Sequence, residues 1–147
     1  MATKKEFIQS SQAYLPRAAQ QGLFALPRRR EFLMEHAGEA PKRVLDVGCA
    51  GGYISLMLKK LGHEVTGIEL NAKMAAEARG RGIHVLEHDL EEPLPLDDGS
   101  HDVVHACEII EHLFDTEGFL SELYRVLTPD GVLILSTPNL NSFMNRF

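Results

Sequence analysis

Short apolar runs alternate with amphipathic stretches along most of the chain. The runs are rich in Val, Ile and Leu and are too short for helices, so they predict β-strands. Between them, apolar residues recur at three- and four-residue spacing, which predicts helices with one buried face. This alternation is typical of a parallel sheet covered by helices. The predicted strands are residues 43–48, 64–69, 83–88, 102–107 and 131–137.

Local signals set the ends of the predicted helices. Gly62 fits the left-handed residue that often follows a helix, and Asn71 is suited to cap the N-terminus of the next one. Residues 91–100 contain two prolines and an Asp-Asp-Gly run, so they predict a surface loop. A helix predicted to end near residue 127 is followed by a turn at 128–131 into the last strand.

The first part of the chain is predicted to be separate from the sheet. Residues 1–42 are expected to form helical segments interrupted at Pro16 and Pro27, on the substrate side of a domain over residues 43–147. The chain contains no apolar run that could cross a bilayer, and its start lacks the apolar core of a signal peptide. We therefore expect a cytoplasmic protein with no membrane insertion.

Charge is unevenly distributed along the sequence. The first 43 residues carry eight Lys/Arg and four Asp/Glu, whereas the remainder carries seven and seventeen. An acidic surface repels phosphate backbones, so nucleic acid is not an expected partner. The Arg28-Arg29-Arg30 run is interpreted as a solvated helix start. Cys49 and Cys107 are too few for a disulfide framework and are interpreted as small packing residues.

A glycine-rich turn after the first predicted strand is the strongest candidate for binding chemistry. The run Gly48-Cys49-Ala50-Gly51-Gly52 lies where parallel sheets bind ligands, at the carboxyl end of a strand. About 20 residues later the second strand ends at Glu69, a position from which a carboxylate can accept hydrogen bonds from both ribose hydroxyls of an adenosine. These features leave nicotinamide dinucleotides and S-adenosylmethionine open.

Three residues in and near this turn favour S-adenosylmethionine. A dinucleotide fingerprint requires glycine where this chain has Ala50 and Tyr53. Asp46 puts a carboxylate near the ligand, which would repel a pyrophosphate but attract an ammonium group and a sulfonium. The turn therefore predicts a site for S-adenosylmethionine.

Five stretches of the sequence, taken in order, resemble the motifs of class I S-adenosylmethionine-dependent methyltransferases. Residues 45–52 resemble motif I, 67–70 the second motif and 88–90 the third, while 94–104 and 131–139 are similar to the fourth and fifth strands of the small-molecule, quinone-biosynthesis-like branch. The resemblance implies a Rossmann-like three-layer α/β sandwich with a five-strand parallel sheet in the order 3-2-1-4-5. It also implies that the last strands of the family are missing.

The resemblance assigns roles to the candidate site residues. It implies that Asp46 and the glycine turn hold the methionine portion of the cofactor, that Glu69 binds the ribose, and that Asp89 receives the adenine amino group. Residues just after the fourth strand face the methionine end, and two apolar side chains line the adenosine. The full set of implied cofactor contacts is Asp46, Gly48, Cys49, Ala50, Gly51, Tyr53, Glu69, Leu70, Met74, Asp89, Leu90, Cys107 and Glu108.

His112 is the candidate general base. If a helix follows the fourth strand, His112 lies one turn beyond Glu108, and both could point into the cleft. The alternative is a histidine that only packs or forms a hydrogen bond. These two residues, with His105 and Glu111, also resemble the metal site of small-RNA 2′-O-methyltransferases. No histidine follows His112 to complete such a site, so no metal is expected.

Two function classes follow from these observations. The first is an S-adenosylmethionine-dependent methyltransferase that acts on a small-molecule acceptor and releases S-adenosylhomocysteine. The second is a non-catalytic module that binds the cofactor or a partner; the sequence also fits a fragment of a longer methyltransferase. A dinucleotide enzyme is a third reading. Because the fifth strand would be an apolar sheet edge, we also expect a homodimer that forms through it.

Overall fold

The computed structural model describes residues 26–137, which contain a five-stranded parallel sheet. The strands are β1 (Arg43–Val47), β2 (Glu64–Ile68), β3 (His84–Leu86), β4 (His101–Cys107) and β5 (Leu127–Ser136). The helices are α1 (Leu26–His36), α2 (Tyr53–Lys60), α3 (Ala72–Gly80) and α4 (Thr116–Val126), with a short 3-10 helix at Ile110–His112. The strands lie in the order β3-β2-β1-β4-β5. The predicted α/β fold and its strand order are confirmed.

The core is built around β1. This strand pairs in parallel with β2 on one side and with β4 on the other, and four of its five residues are buried. Such burial is expected for a strand whose two faces are both covered. Helix α4 packs its apolar side chains against one face of the sheet. The resulting cluster contains Leu45, Val47, Ile68, Leu94, Val104, Ala106, Phe119, Leu123 and Val126.

The connection between β3 and β4 is the predicted surface loop, and Arg125 of α4 anchors it. The guanidinium of Arg125 donates to the carbonyl oxygens of Leu94 and Leu96 at 3.0 and 2.7 Å. It also donates to the carboxylates of Asp98 and Glu122 at 2.7 and 2.8 Å. This one side chain therefore fixes the loop that leads into β4.

The last strand begins earlier than the sequence predicts. Leu127 already pairs with His101, and the ladder resumes with Val132 opposite Val103. Residues 128–131 thus lie opposite Asp102 alone, as an irregularity of the strand. The turn predicted at these residues is this irregularity, and Pro129 within it cannot donate to a ladder.

The chain divides into two compact units between Glu35 and His36. Helix α1 has Pro27 as its second residue, in the first turn, where proline's missing N–H removes no helical hydrogen bond. The break predicted at Pro16 lies outside the described residues, and the functional division at residue 42 stays a prediction. Within residues 26–137, no helix is long and apolar enough to span a membrane.

Candidate functional site

The turn after β1 is tied to the end of β2 by hydrogen bonds. The N–H groups of Gly48 and Cys49 both donate to the carbonyl oxygen of Ile68, at 2.8 and 2.9 Å. Ala50 follows with a φ of 47°, a left-handed conformation that is uncommon for a residue with a Cβ. Its N–H donates to Oε2 of Glu69 at 2.9 Å. The turn and Glu69 therefore form one hydrogen-bonded unit.

The two left-handed glycines of the turn are required by contacts within the protein. A Cβ at Gly48, where φ is 69°, would lie 2.1 Å from the side chain of Ile109. A Cβ at Gly52, where φ is 76°, would lie 2.7 Å from Cβ of Ala78 on α3. These contacts are a reason for glycine at both positions that does not depend on a ligand, and the predicted approach of the backbone to a ligand stays a prediction.

Glu69 has an ordered carboxylate directly after β2. Its Oε1 accepts the N–H of Asn71 at 2.8 Å, while its Oε2 accepts the N–H of Ala50 at 2.9 Å. The Asn71 side chain in turn caps α3 by accepting the N–H groups of Lys73 and Met74. Each carboxylate oxygen can accept a second hydrogen bond. Glu69 is thus held in place and keeps acceptor capacity for a ligand.

The Asp46 side chain lies inside the protein, with a relative exposure of 2 %. The hydroxyl of Ser55 on α2 donates to Oδ2 at 2.5 Å, and Nδ1 of His105 on β4 lies 2.8 Å from Oδ1. Both carboxylate oxygens are therefore bonded to protein groups, and the predicted role of Asp46 near the cofactor stays a prediction.

The pKa values of two buried groups reflect this arrangement. Burial of His105 opposes its protonation, but its hydrogen bonds with Asp46 and Cys107 outweigh burial and raise the pKa of His105 to about 10. Burial, followed by the nearby charges of Asp46 and Glu69, raises the pKa of the Cys49 thiol to about 12. The hydrogen bond to Asp46 thus favours the protonated form of His105, and burial favours the neutral thiol of Cys49.

Cys49 packs within the protein, in line with its interpretation as a packing residue. It is buried, and a Cβ at Gly67 of β2 would lie 2.6 Å from its sulfur. Gly67 therefore provides the space that this side chain fills. Cys49 contributes to the shape of the turn through its backbone.

Tyr53 and Gly51 are both held by Arg81, which directly follows α3. The Arg81 guanidinium lies 4.1 Å from the centre of the Tyr53 ring and donates to the Tyr53 hydroxyl at 2.7 Å. It also donates to the carbonyl oxygen of Gly51 at 2.8 Å. A cation over an aromatic face is a favourable contact, so Arg81 links the turn to the end of α3.

Four of the predicted cofactor contacts follow β2 and β3. The Leu70 side chain is 63 % exposed, and Met74 is half-buried in the first turn of α3. Asp89 is exposed, and its Oδ1 accepts the N–H of Glu91 at 3.0 Å. Leu90 is half-buried against the main core. All four predicted residues therefore lie near the carboxyl ends of adjacent strands.

The segment directly after β4 is not an α-helix. Glu108 has a φ of 58°, and its N–H donates to the carbonyl oxygen of Ser136 at 2.9 Å. The Ser136 hydroxyl also donates to Oε1 of Glu108 at 2.9 Å. The prediction that Glu108 and His112 share a helical face is wrong, because this left-handed bend precedes only a short 3-10 helix. The His112 side chain is 75 % exposed, and its Nε2 lies 4.0 Å from Oε1 of Glu111.

The metal-site pattern considered from the sequence has no counterpart in the described structure. Among residues 26–137, no three His, Cys, Asp or Glu side chains are grouped so that they could hold a metal ion. His105, one of the residues considered as a ligand, is paired with Asp46 instead.

Sequence reasoning missed the partners that organise the site, above all Ser55, Arg81 and Ser136. The Asp46–His105 pair had a usable signal, because the two residues lie at matching heights on neighbouring strands. An acid and a histidine in buried strands that adjoin each other predict an ion pair. Arg81 and Ser136 carry no comparable local signal.

Comparison with known proteins gives a consistent assignment. A family model described as a methyltransferase domain matches residues 45–135. A probable S-adenosylmethionine-dependent methyltransferase of Mycolicibacterium smegmatis is 37% identical over 119 residues, which cover 79% of this chain and 46% of that protein. A ubiquinone biosynthesis O-methyltransferase of Pseudomonas aeruginosa is 35% identical over 127 residues, covering 78% and 52%.

Solved structures resemble the fold at lower identity. A possible histamine N-methyltransferase of Thermotoga maritima matches with a TM-score of 0.64 and 28% identity, covering 95% of this chain and 54% of that one. A methyltransferase of Archaeoglobus fulgidus gives 0.69 and 27%, covering 78% and 54%. The 4+2 cyclase SpnF gives 0.67 and 26%, covering 74% and 43%.

The chain spans about half the length of the curated relatives it matches. Within that span, the matched region runs from β1 into β5 and includes the glycine turn, Glu69 and the bend at Glu108. The family model thus covers most of the sheet and most of the chain, and the chain belongs to the methyltransferase domain family.

Proposed function

We propose that this chain binds S-adenosylmethionine and serves methyl transfer to a small-molecule acceptor, with S-adenosylhomocysteine as the product. The observation that carries the proposal is the placement of Glu69. Two backbone N–H groups orient its carboxylate at the carboxyl end of β2, beside the left-handed Ala50. A fixed carboxylate with free acceptor capacity suits a pair of vicinal hydroxyls.

The remaining residues fit the other parts of this cofactor. Exposed Leu70 and half-buried Met74 offer apolar contact to an adenine ring, and exposed Asp89 offers an acceptor to its amino group. Glu69 would hold the ribose. The methionine portion would lie between the turn after β1 and the bend at Glu108.

Positioning is the main chemical contribution that these residues would make. The bound cofactor supplies a methyl group on a positively charged sulfur, which a nucleophile displaces in line. Correct alignment of two reactants can contribute roughly 7–11 kcal/mol to lowering the barrier. The hydrogen bonds that Glu69, Arg81 and Ser136 make within the protein would help to fix the cofactor end of that alignment.

The proposal includes His112 as the general base that removes the proton of the acceptor. Its imidazole is largely exposed, so an acceptor could reach it. His112→Asn should then lower kcat/KM and change its pH profile while S-adenosylhomocysteine binds as before. An unchanged profile would assign His112 a surface role.

A hydroxyl is the proposed acceptor group. The curated relative from Pseudomonas aeruginosa is named an O-methyltransferase of ubiquinone biosynthesis, which supports a small phenolic acceptor. The structural neighbour described as a possible histamine N-methyltransferase makes an amine the competing choice. A panel of catechols and aromatic amines, assayed for S-adenosylhomocysteine release, separates the two.

A second candidate function is a module that binds the cofactor without transferring its methyl group. It is supported by the cyclase SpnF, a structural neighbour whose described activity is not methyl transfer. Tight binding of S-adenosylmethionine with no turnover across the acceptor panel would favour this module over the enzyme.

Calorimetry with S-adenosylhomocysteine tests the cofactor assignment. Glu69→Ala should weaken binding roughly a hundredfold, because it removes two hydrogen bonds to a charged group. Glu64→Ala is the matched control, since Glu64 is an exposed residue at the opposite end of the same strand. If both variants bind like the wild type, the assignment is wrong.

We also propose a homodimer that forms through β5, in the cytoplasm. This strand is the last in the sheet order, and Val132, Leu133 and Leu135 on it are exposed. Residues 131–137 carry no charge, so an antiparallel pairing of two copies would oppose no like charges. Light scattering should show a dimer that Leu133→Lys dissociates, whereas a monomeric wild type at high concentration would refute it.

A further inference from the structure

A chain of buried polar groups crosses the sheet beneath the glycine turn. It runs from the Ser55 hydroxyl on α2 to Asp46 on β1 at 2.5 Å, and from Asp46 to His105 on β4 at 2.8 Å. Cys107, the last residue of β4, lies two residues beyond His105 on the same strand. Ser55, Asp46 and His105 are all buried. These hydrogen bonds therefore connect helix α2 with strands β1 and β4.

A buried carboxylate requires such a partner, because an isolated charge is costly to remove from water. Asp46 and His105 are register neighbours, which brings their side chains to the same face of the sheet. The titratable groups that face His105 are Asp46 from β1 and Cys107 on its own strand. Helix α2 contributes the uncharged Ser55, and β5 contributes Ile134 as the register neighbour of His105.

We propose that His105 is a positioning residue for the cofactor site. Asp46 lies two residues before Gly48, and Cys107 directly precedes the left-handed Glu108. Because His105 lies on β4 three residues before this bend, its hydrogen bond with Asp46 links the turn after β1 to the bend after β4, the two segments that flank the proposed methionine end. The inference rests on the proposed cofactor binding, since it assigns His105 a role in shaping that site.

The chemistry of imidazole suits this link. A protonated imidazole donates from its ring nitrogen and carries a positive charge, so its hydrogen bond to the Asp46 carboxylate is charge-assisted. An asparagine can place its amide nitrogen near the Nδ1 position but cannot carry charge. His105→Asn should therefore keep the contact with Asp46 and lose its charge assistance.

Calorimetry with S-adenosylhomocysteine is the first test. His105→Ala should weaken binding about tenfold, the loss expected for one charge-assisted hydrogen bond, and His105→Asn should recover part of it. If the alanine variant does not fold, the asparagine variant carries the test with a loss of about threefold. His101→Gln is the matched control, because His101 is also buried on β4 but lies at its other end. It should bind like the wild type.

Nitrogen-15 NMR of the His105 ring gives a readout that a purely packing role would not affect. The ring should stay doubly protonated at pH 8 in the wild type and become neutral in Asp46→Asn, because burial then acts without the carboxylate. A neutral ring in the wild type would overturn the inference, as would unchanged affinity in both His105 variants. Failure of the wild type to bind S-adenosylhomocysteine would overturn the proposed function and this inference together.

Discussion

The two ends of the parallel strands are built in opposite ways. At the carboxyl ends, Ala50 and Glu108 adopt left-handed conformations, and Leu70 leaves an apolar side chain exposed. Such strain and exposure are found where a ligand is bound. At the amino ends, by contrast, Arg43 of β1 donates to Asp102 of β4 from its backbone and its side chain, at 2.9 and 2.8 Å. The carboxyl end thus carries the left-handed residues and the proposed site, while the amino end is closed by the protein's own contacts.

Buried histidines add to the contrast. His63 before β2 and His101 at the start of β4 are both buried at the amino end. Burial lowers the pKa of each, helped by Lys42 near His63 and by Arg43 near His101. His105, nearer the site, has a raised pKa instead. Substitutions at the carboxyl end should therefore affect ligand affinity, whereas substitutions at the amino end should affect only the stability of the fold.

The largest expected effect is a loss of stability at Gly52, which can be compared with Gly82 because the two glycines have similar φ angles. Gly52→Ala should lower the free energy of unfolding by about 3 kcal/mol, because the methyl group meets Ala78 as well as an unfavourable φ. Gly82→Ala, before β3, should cost about 1 kcal/mol, because its φ of 80° is similar but its nearest neighbour is the Lys59 side chain at 3.6 Å. Urea unfolding measures both, and equal losses would contradict the packing explanation.

The next effect is the pH dependence of stability, which should have opposite signs at His101 and His105 on β4. Because the pKa of folded His101 is lowered, its contribution to stability is present above the unfolded value of about 6.5 and is lost as the pH falls below it. His105 behaves in the reverse way, because its stabilisation is present below about 6.5 and is lost as the pH rises toward about 10.

Thermal unfolding across pH 5 to 10 should show both losses, each with a slope of at most about 1.4 kcal/mol per pH unit for one group. His101→Gln should flatten the acidic side, and His105→Asn should flatten the alkaline side. If either variant flattens the other side instead, the assignment of the two histidines is wrong.

The smallest effect is expected for the Arg43–Asp102 pair. Hydrogen bonds from the Arg43 side chain and backbone lower the pKa of Asp102 to about 2. Because the pair is partly exposed, Asp102→Asn should cost less than about 1 kcal/mol near neutral pH. This difference in stability between the wild type and Asp102→Asn should decrease only as the pH falls below about 4 toward 2. Affinity for S-adenosylhomocysteine should not change, and a clear loss would remove the distinction between the two ends.

The sequence predicted the sheet because buried parallel strands read as continuous apolar runs. The second strand, for example, was placed within one residue of its observed bounds, and Glu69 followed directly at the site. The glycine turn was also located correctly. Its glycines, however, serve contacts with Ile109 and Ala78, which lie far along the chain and leave no local signal.

The errors share a physical origin. The helix expected after β4 failed because Glu108 adopts a left-handed bend that its residue type does not announce. The pairing of Asp46 with His105 was missed although it had a signal, because that signal appears only once β1 and β4 are placed side by side in the sheet. The ion pair and the buried histidines at the amino ends depend on the same long-range register, so local patterns could not reveal them.

The strand order also determines how the chain can acquire its structure during synthesis. β1 lies at the centre of the sheet, yet Asp46 and its partner His105 are 59 residues apart. At about 5–20 residues per second, a ribosome needs roughly 3–12 s to deliver β4 after β1. β1, β2 and β3 can assemble earlier, which leaves one apolar edge of β1 open in the nascent chain. A pause in translation before residue 101 would prolong that exposure, so the central strand is the element most vulnerable to misassembly on the ribosome.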